Sequence, residues 1–260
     1  VVLMNIPVCI KQVPDTNDLR IDQETNTLIR EGVEAVMNPL DEFALEAALR
    51  LRENGSANVT CFTMGPPQAR DVLRKAVATG ADAGVLVSDR AFAGADTWAT
   101  SLTLARAIQA VGNFDLILTG KQAVDGDTAQ VGPGIAAHLG WPQVTYVTNL
   151  EYAGEKCLRL TRMFEHAKVE LEVQLPAVIT VLKAANEPRI PSLAGRLRAF
   201  SAELRTVDAA ATGVPEQDLG LDGSPTRVVR IAVPEARRNQ RRIEGTPEEI
   251  ARELASELKS

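Results

Sequence analysis

The first 140 residues alternate between short apolar runs and longer segments in which apolar residues recur at helical spacing. Four apolar runs, mostly rich in Val, Ile and Leu, predict buried strands: Asn5–Val13, Asn58–Met64, Gly84–Ser88 and Phe114–Gly120. Three helical patterns lie between them: Leu40–Arg52, Gln68–Thr79 and Ala99–Val111. This alternation predicts an α/β fold, with a parallel sheet and helices on both of its faces.

The pattern changes after Gly140. Gln143–Tyr152, Leu158–Met163 and Val169–Gln174 predict antiparallel strands joined by short turns. Ala177–Leu182 then predicts one more buried strand. The sequence therefore predicts an antiparallel extension of the parallel sheet.

From Glu187 onward the periodicity is lost and several prolines stand among polar residues. We therefore predict an α/β domain over residues 1–186 and an extended arm over residues 187–260. The arm ends in a helix, roughly Pro247–Leu258, with Thr246 as N-cap and Glu249 completing a capping box. Because scattered apolar residues cannot bury themselves in so long an arm, we expect it to wrap a partner subunit.

Composition and charge restrict the class of protein. Hydrophobic residues make up 45% of the 260, which is enough for a full core and excludes a disordered chain. The net charge of −6 argues against nucleic acid as the main partner. The longest apolar runs are far shorter than a membrane span, and no secretory signal pattern is present, so we expect a cytoplasmic protein.

The chain has little equipment for acid–base or nucleophilic chemistry. Cys9, Cys61 and Cys157 lack the spacing of a metal site, and neither His138 nor His166 lies near a nucleophile-elbow motif. We predict no catalytic residue and no metal site. If the protein takes part in a reaction, a bound cofactor is expected to carry the chemistry.

Ligands of parallel α/β sheets bind beyond the carboxyl ends of the strands. Four segments take that position: Cys9–Asp15, Met64–Pro67, Asp89–Thr97 and Lys121–Pro133. The fourth precedes a helix, and its glycines, Thr128 and the helix N-terminus suit a phosphate. Asp125 and Asp127 would repel a phosphate, so they are expected to cap the turn or to bind a ribose or a backbone N–H.

The alternative for this segment is an ordinary strand-to-helix turn capped by Asp and Thr. Neither a G-x-G-x-x-G fingerprint nor a P-loop is present. Phe92–Thr97 is a second loop of small residues before a helix, and an Asp96 cap alone would explain it.

Several ordered motifs carry a resemblance to a known family over essentially the whole chain. They are Lys11–Asp15, Met37–Glu42, Met64–Pro66, Gly120–Ala123, Asp125–Gly132, Trp141–Gln143, Leu175–Val181 and Asn186–Arg189. By these motifs the chain resembles the β subunit of electron-transfer flavoprotein. In ordinary members the β subunit holds a structural AMP, and one FAD lies mainly in the α subunit. In electron-bifurcating members a second FAD replaces the AMP, next to an NAD(H) site.

Two segments resemble the bifurcating group: Asp125–Pro133, and the loop Ser88–Thr97 that faces the nicotinamide nucleotide in that group. The resemblance implies that the adenine-nucleotide part of the FAD, or AMP, is held by Cys9, Asn38, Met64 and the segment Asp125–Ala136. The residues predicted to bind cofactor are Cys9, Asn38, Met64, Phe92, Gly94, Asp96, Thr97, Asp125, Gly126, Asp127, Thr128, Ala129, Gln130, Val131, Gly132 and Pro133.

Some of these residues have plainer explanations. Asn38 could be only a helix N-cap, Met64 only core packing and Cys9 only a small buried hydrophobe. The resemblance also implies that Leu193 docks acyl-CoA dehydrogenases.

The implied partners are the α subunit of a heterodimer, an acyl-CoA dehydrogenase or related flavoenzyme, and ferredoxin or flavodoxin. In this interpretation the subunit oxidises NADH and divides its electrons between two acceptors. One alternative is an ordinary electron-transfer flavoprotein with AMP in the same place and no reaction with NADH. Another is a nucleotide-binding regulatory protein without a redox role.

Overall fold

The computed structural model describes residues 4–15, 20–22, 27–29, 35–55, 57–229 and 242–258. Its strands, in chain order, are β1 (Met4–Cys9), β2 (Gln12–Pro14), β3 (Arg20–Asp22), β4 (Thr27–Ile29), β5 (Ala35–Met37), β6 (Ala57–Met64), β7 (Ala83–Val87), β8 (Leu116–Gly120), β9 (Gln143–Gly154), β10 (Cys157–Met163), β11 (Lys168–Gln174), β12 (Ala177–Val181) and β13 (Leu204–Val207). Its α-helices are α1 (Pro39–Asn54), α2 (Arg70–Thr79), α3 (Thr97–Val111), α4 (Val131–Leu139), α5 (Leu193–Ser201), α6 (Ala209–Thr212) and α7 (Pro247–Glu257).

Nine strands form one sheet in the order β11-β10-β9-β12-β8-β1-β6-β7-β13. The strands from β9 to β13 in this order pair in parallel, whereas β10 and β11 add an antiparallel hairpin at one edge. The predicted α/β fold with an antiparallel extension is therefore confirmed.

The two faces of the sheet carry different helices. One buried cluster contains residues of α1 and α2, and the other contains residues of α3 and α4. Successive residues of β8 alternate between them: Leu116 and Leu118 belong to the first cluster and Ile117 to the second. This alternation follows from the two-residue period of a strand, and it places helices on both faces as expected.

One predicted strand is divided in two. The expected strand Asn5–Val13 ends at Cys9, and β2 pairs with β5 in a separate small sheet. The backbone N–H of Lys11 donates to the Asp41 carboxylate instead of to a neighbouring strand. The prediction of a single continuous strand is therefore wrong.

The segment that begins at residue 187 contains regular structure that the sequence pattern did not indicate. α5 packs against α2, and β13 extends the main sheet beside β7. The prediction divides the chain at residue 186, whereas the first compact unit comprises residues 1–19 and 30–228. That the arm wraps a partner subunit stays a prediction.

The second compact unit comprises residues 20–29 and 229–260. In it, β3 pairs with β4 in an antiparallel manner, and α7 begins with the predicted capping box of Thr246 and Glu249. Among the described residues, no helix combines the length and the apolar character needed to cross a membrane.

Candidate functional site

The strand order changes direction next to β1. The chain passes from β1 to β6 and β7 on one side, and then returns to β8 and β12 on the other. In open parallel sheets, ligands bind beyond the carboxyl ends of the strands at such a reversal. The candidate site therefore lies where β1, β6 and β8 end.

The first turn of α4 approaches this edge of the sheet closely. A Cβ at residue 132 would lie 2.8 Å from Thr119 Oγ1 and 2.8 Å from Thr180 Cγ2, at the ends of β8 and β12. A Cβ at Gly134 would lie 2.4 Å from Ser101 Oγ of α3. The two glycines therefore let α4 lie against both the sheet and α3, which fixes where its N-terminus points.

No side chain caps α4, because Gln130 makes no cap hydrogen bond. Its Oε1 instead accepts a hydrogen bond of 2.7 Å from Thr97 Oγ1 at the start of α3. Pro133 lies in the first turn, where a missing N–H breaks no helical hydrogen bond. The positive end of the α4 dipole is therefore open to an anion.

Both acidic side chains of the 121–130 loop, which joins β8 to α4, have partners. Lys11 Nζ lies 2.7 Å from Asp125 Oδ1, and Gln122 Nε2 donates to Asp127. Asp127 and Ala129 have positive φ values of 51° and 55°, a conformation that costs energy in residues other than glycine and clusters at functional sites. We expected these carboxylates to cap the turn or to bind a ribose or a backbone N–H, whereas the structure joins them to the side chains of Lys11 and Gln122. That either carboxylate binds a ribose stays a prediction.

Gly126, Thr128 and Gln130 are exposed in this loop, while Ala129, Val131 and Pro133 are half-buried. A Cβ at Gly126 would meet no atom within 4 Å. Gly126 and Thr128 therefore lie on an open rim of the candidate site.

Asn38 is completely buried, and its side chain holds the 121–130 loop. Its Nδ2 donates to Gln122 O at 2.9 Å, and its Oδ1 accepts from Val124 N at 3.2 Å. Asn38 makes no side-chain cap of α1, so the plainer explanation as a helix N-cap is wrong for its side chain.

Asp41 lies in the first turn of α1, and the sequence analysis assigned it no role. Its buried carboxylate accepts hydrogen bonds from Lys11 N, from Gly120 N and from the Asn38 side chain. Burial raises the pKa of Asp41 to about 7, although these hydrogen bonds and the Lys11 charge lower it. Its place three residues after Asn38 was visible in the sequence, but its burial was not.

Cys9 and Met64 end β1 and β6, and both pack with the cluster on the α3 and α4 face. Cys9 is buried and Met64 half-buried. Burial, with a smaller contribution from the Asp41 charge, raises the pKa of the Cys9 thiol to about 12. The thiol is therefore uncharged, and both side chains belong to the apolar cluster that also contains residues of α4.

The second predicted loop, Asp89–Thr97, is packed against residues 219–226. Phe92 is buried in the core, and Gly94 has a φ of 74° and lies against Leu221. Asp96 caps α3 through one oxygen and accepts from Thr226 through the other. Although burial acts to raise it, hydrogen bonds from Thr226 and the first α3 amides hold the pKa of Asp96 below its ordinary value.

Leu193 lies apart from these loops, at the start of α5. Together with Leu197 and Phe200 it forms an exposed stripe at positions i, i+4 and i+7, which is one face of a helix. Their exposed fractions are 76%, 68% and 88%. We call these three residues the α5 stripe; the sequence analysis found only its first member.

The segment that leads into α5 is fixed to α1. Arg189 pairs with the buried Glu46 and with Glu53, and Asn186 Nδ2 donates to Phe43 O. α5 is in turn fixed to α2, since Arg74 donates to Ala199 O and Phe200 O. The α5 stripe is therefore held on a rigid base.

Comparison with known proteins gives consistent relatives. Residues 25–212 match the family model described as electron transfer flavoprotein domain. The chain is 46% identical over 258 residues to the electron transfer flavoprotein subunit beta of Thermoanaerobacterium thermosaccharolyticum, covering 99% of this chain and 98% of that protein. It is 47% identical over 258 residues to the caffeyl-CoA reductase-Etf complex subunit CarD of Acetobacterium woodii, covering 98% of each chain. It is 49% identical over 242 residues to protein FixA of Azorhizobium caulinodans, covering 90% of this chain and 86% of that protein.

Proposed function

Since this chain belongs to the electron transfer flavoprotein family and is similar throughout to its β subunits, we propose that it binds the adenine-nucleotide part of an FAD where β1, β6 and β8 end. It pairs with an α subunit and takes part in NADH oxidation with electron bifurcation. The chemistry that a bound FAD supplies is acceptance of a hydride from NADH and release of its two electrons along separate paths, one to ferredoxin or flavodoxin and one toward the FAD of the α subunit.

The observation that carries this proposal is the uncapped N-terminus of α4 at the reversal of strand order. Its first amides suit a phosphate, and Lys11 and Gln122 engage the two carboxylates that would otherwise repel one. Cys9 and Met64 provide an apolar surface for an adenine ring on the same face of the sheet. The residues present therefore fit the nucleotide, and they act by binding and orienting it rather than as acids, bases or nucleophiles.

The proposed nicotinamide site contains only two of the four loop residues predicted from the sequence, which are Phe92, Gly94, Asp96 and Thr97. Phe92 is buried and both carboxylate oxygens of Asp96 are engaged, so these two residues shape the loop. Gly94 is exposed and Thr97 is half-buried beside Gln130. Gly94 and Thr97 are therefore the proposed contacts to NAD(H).

The name of one relative, CarD, supports a flavoenzyme as partner. CarD is named as a subunit of a caffeyl-CoA reductase-Etf complex, and the α5 stripe offers exposed apolar anchors of the kind on which docking depends. We assign the stripe to an acyl-CoA dehydrogenase or a related flavoenzyme. The rest of the arm from residue 187, and above all its last part with α7, is assigned to the α subunit.

The test is the nucleotide content of the co-purified heterodimer and its visible spectrum before and after NADH. Two FAD per heterodimer, bleached rapidly by NADH, with subsequent reduction of ferredoxin, are expected. One FAD and one AMP without a response to NADH would make the protein an ordinary electron-transfer flavoprotein. A colourless heterodimer would point to a regulatory protein.

A matched pair of variants tests the place of the site. Gly126→Leu combined with Thr128→Leu fills the open rim of the candidate site and should abolish retention of the nucleotide in the β subunit while leaving the fold intact. Gly112→Leu is the control, because a Cβ at Gly112 also meets no atom within 4 Å and residue 112 follows α3 at its far end. Full nucleotide content in the double variant would refute this placement.

A further inference from the structure

β1 and β8 stop pairing just before the candidate site. Their ladder includes Val8 with Leu118 and Cys9 with Thr119. Immediately beyond this ladder, the backbone N–H groups of Lys11 and Gly120 both donate to the Asp41 carboxylate. The distance from Lys11 N to Asp41 Oδ2 is 2.7 Å. The Asp41 side chain of α1 therefore accepts hydrogen bonds where the next residues of β1 and β8 would otherwise pair with each other.

The contact is tight and extends to the 121–130 loop. A Cβ at residue 120 would lie 2.4 Å from Asp41 Oδ1, so only glycine fits there. Asn38, three residues earlier on α1, donates to the same carboxylate and bonds to the backbone of Gln122 and Val124. A change at Asp41 therefore reaches both strand ends and the loop.

We propose that Asp41 is a positioning residue whose carboxylate clamps the ends of β1 and β8, and that its protonation loosens the 121–130 loop and releases the nucleotide. This inference rests on the proposed function, because the bound nucleotide is the one assigned to that loop.

The reason lies in the donors around Asp41. Lys11 N, Gly120 N and the Asn38 amide all donate to the carboxylate, so an added carboxyl proton would remove the charge that strengthens these hydrogen bonds and would itself face donors. With the pKa of Asp41 raised by burial to about 7, this change falls near neutral pH.

Other titratable groups around Asp41 do not replace it as the switch. Lys11, which follows β1, is paired with Asp125 of the loop. Cys9 of β1 and Cys61 of β6 are uncharged, because burial raises the pKa of both thiols. Glu42, the neighbour of Asp41 on α1, is paired with Lys75 of α2.

The sign of the pH effect distinguishes the clamp from general unfolding. Asp41 in the unfolded chain titrates near pH ~4, so between about 4 and 7 the folded chain binds a proton that the unfolded chain does not. As pH falls through 7, this group therefore makes the fold more stable. Nucleotide retention falls over the same pH range. The free energy of unfolding and the retention of nucleotide are therefore expected to change in opposite directions.

The first experiment measures the rate of nucleotide release from the heterodimer between pH 6 and pH 8. For the wild type we expect release about tenfold faster at pH 6, the effect of losing the charge that strengthens the hydrogen bonds to Asp41. Asp41→Asn should release quickly at both pH values, while Glu42→Gln should follow the wild type. The same pH dependence in Asp41→Asn and in the wild type would overturn the proposal.

A second pair of variants covers the case in which Asp41→Asn does not assemble. Lys11→Met removes the charge that lowers the pKa of Asp41, so it should move the midpoint of release to higher pH. Asp125→Asn breaks the same ion pair but keeps that charge, and it should not raise the midpoint. An unmoved midpoint in Lys11→Met would contradict the clamp.

The amide resonances of Lys11 and Gly120 report the clamp without any nucleotide. They should titrate near neutral pH in the wild type and not in Asp41→Asn. Resonances that do not titrate in the wild type would overturn the clamp. A wild-type heterodimer that holds no nucleotide in its β subunit would instead contradict the proposed function.

Discussion

Gly132 shows how one residue without a side chain fixes the candidate site. Thr119 and Thr180 stand 2.8 Å from the place that its Cβ would take. Both neighbours lie at the ends of buried strands, and Thr119 and Thr180 are themselves buried. Close-packed interiors have little room to yield, so a larger residue at 132 would move the N-terminus of α4.

We therefore expect Gly132→Ala to lower the free energy of unfolding by about 1–3 kcal/mol, the usual cost of overpacking, and to reduce nucleotide content. Gly112→Ala is the matched control, since its new Cβ meets no atom within 4 Å. Urea unfolding and nucleotide extraction of both heterodimers measure the two effects. Equal stability and equal nucleotide content in the two variants would show that α4 does not depend on this contact.

The residues of the site differ in how far the sequence revealed them. The loop after β8 could be predicted, because a buried strand followed by glycines and a helix is a local pattern. The ion pair of Lys11 with Asp125 could not, since it joins residues 114 positions apart. The burial of Asp41 depends on the same long-range meeting of α1 with β1 and β8.

Among the elements, α5 escaped sequence analysis for a physical reason. Hydrophobic periodicity indicates a helix when its apolar face is buried, but the α5 stripe faces solvent, and its buried residues are Gly195 and Ala199. A Cβ at Gly195 would lie 2.1 Å from Ala78 O of α2. The small residues therefore make the contact with the domain and leave the large ones free for a partner.

The α5 stripe should account for docking of the partner flavoenzyme. Leu193→Ala, Leu197→Ala and Phe200→Ala should each weaken binding about 5- to 30-fold, as expected for anchors at the centre of an interface. Flavin content and reduction by NADH should not change, because the stripe lies on the α2 side and away from α4. Binding titrations of the reduced heterodimer measure the effect.

Phe164→Ala is the control for Phe200→Ala. Phe164 is also an exposed phenylalanine, with an exposed fraction of 48%, but it lies beyond β10, where the antiparallel hairpin turns. Equal binding of the two variants would contradict docking through α5.

Apart from Asn5–Val13, the predicted buried strands and the helices over them agree with the structure to within two residues at each end, since each carries its own periodic signal. β2 and β13 were not, because a strand of three or four residues has too few positions to show a period. Their pairing is decided by residues far away in the chain: β2 pairs with β5, and β13 with β7.

At the scale of the molecule, the nine-stranded sheet and both large hydrophobic clusters are formed by residues 4–219. α7, by contrast, contains no buried residue, and its Leu254 is 49% exposed. Ile250, Leu254 and Leu258 recur at four-residue spacing, which places them on one face of the helix. Leu254 and Leu258 on this face are exposed, and the clusters of the first unit do not include α7, so we expect residues 229–260 to serve assembly.

We therefore expect a chain shortened to residues 1–228 to keep the circular dichroism and the cooperative unfolding of the intact β subunit, but to lose co-purification with the α subunit.

In the full chain, Ile250→Asp combined with Leu254→Asp should weaken co-purification while preserving the fold, because charges on the apolar face of α7 would have to be buried unpaired. Glu248→Gln is the control, as residue 248 lies in the same helix and is exposed. If the shortened chain still holds the α subunit, the contact between subunits must come from the nine-stranded unit, and the assignment of the arm would be wrong. If the shortened chain fails to fold alone, the Ile250→Asp and Leu254→Asp variant decides whether the arm or the nine-stranded unit contacts the α subunit. That variant keeps the full chain length and an unchanged first unit.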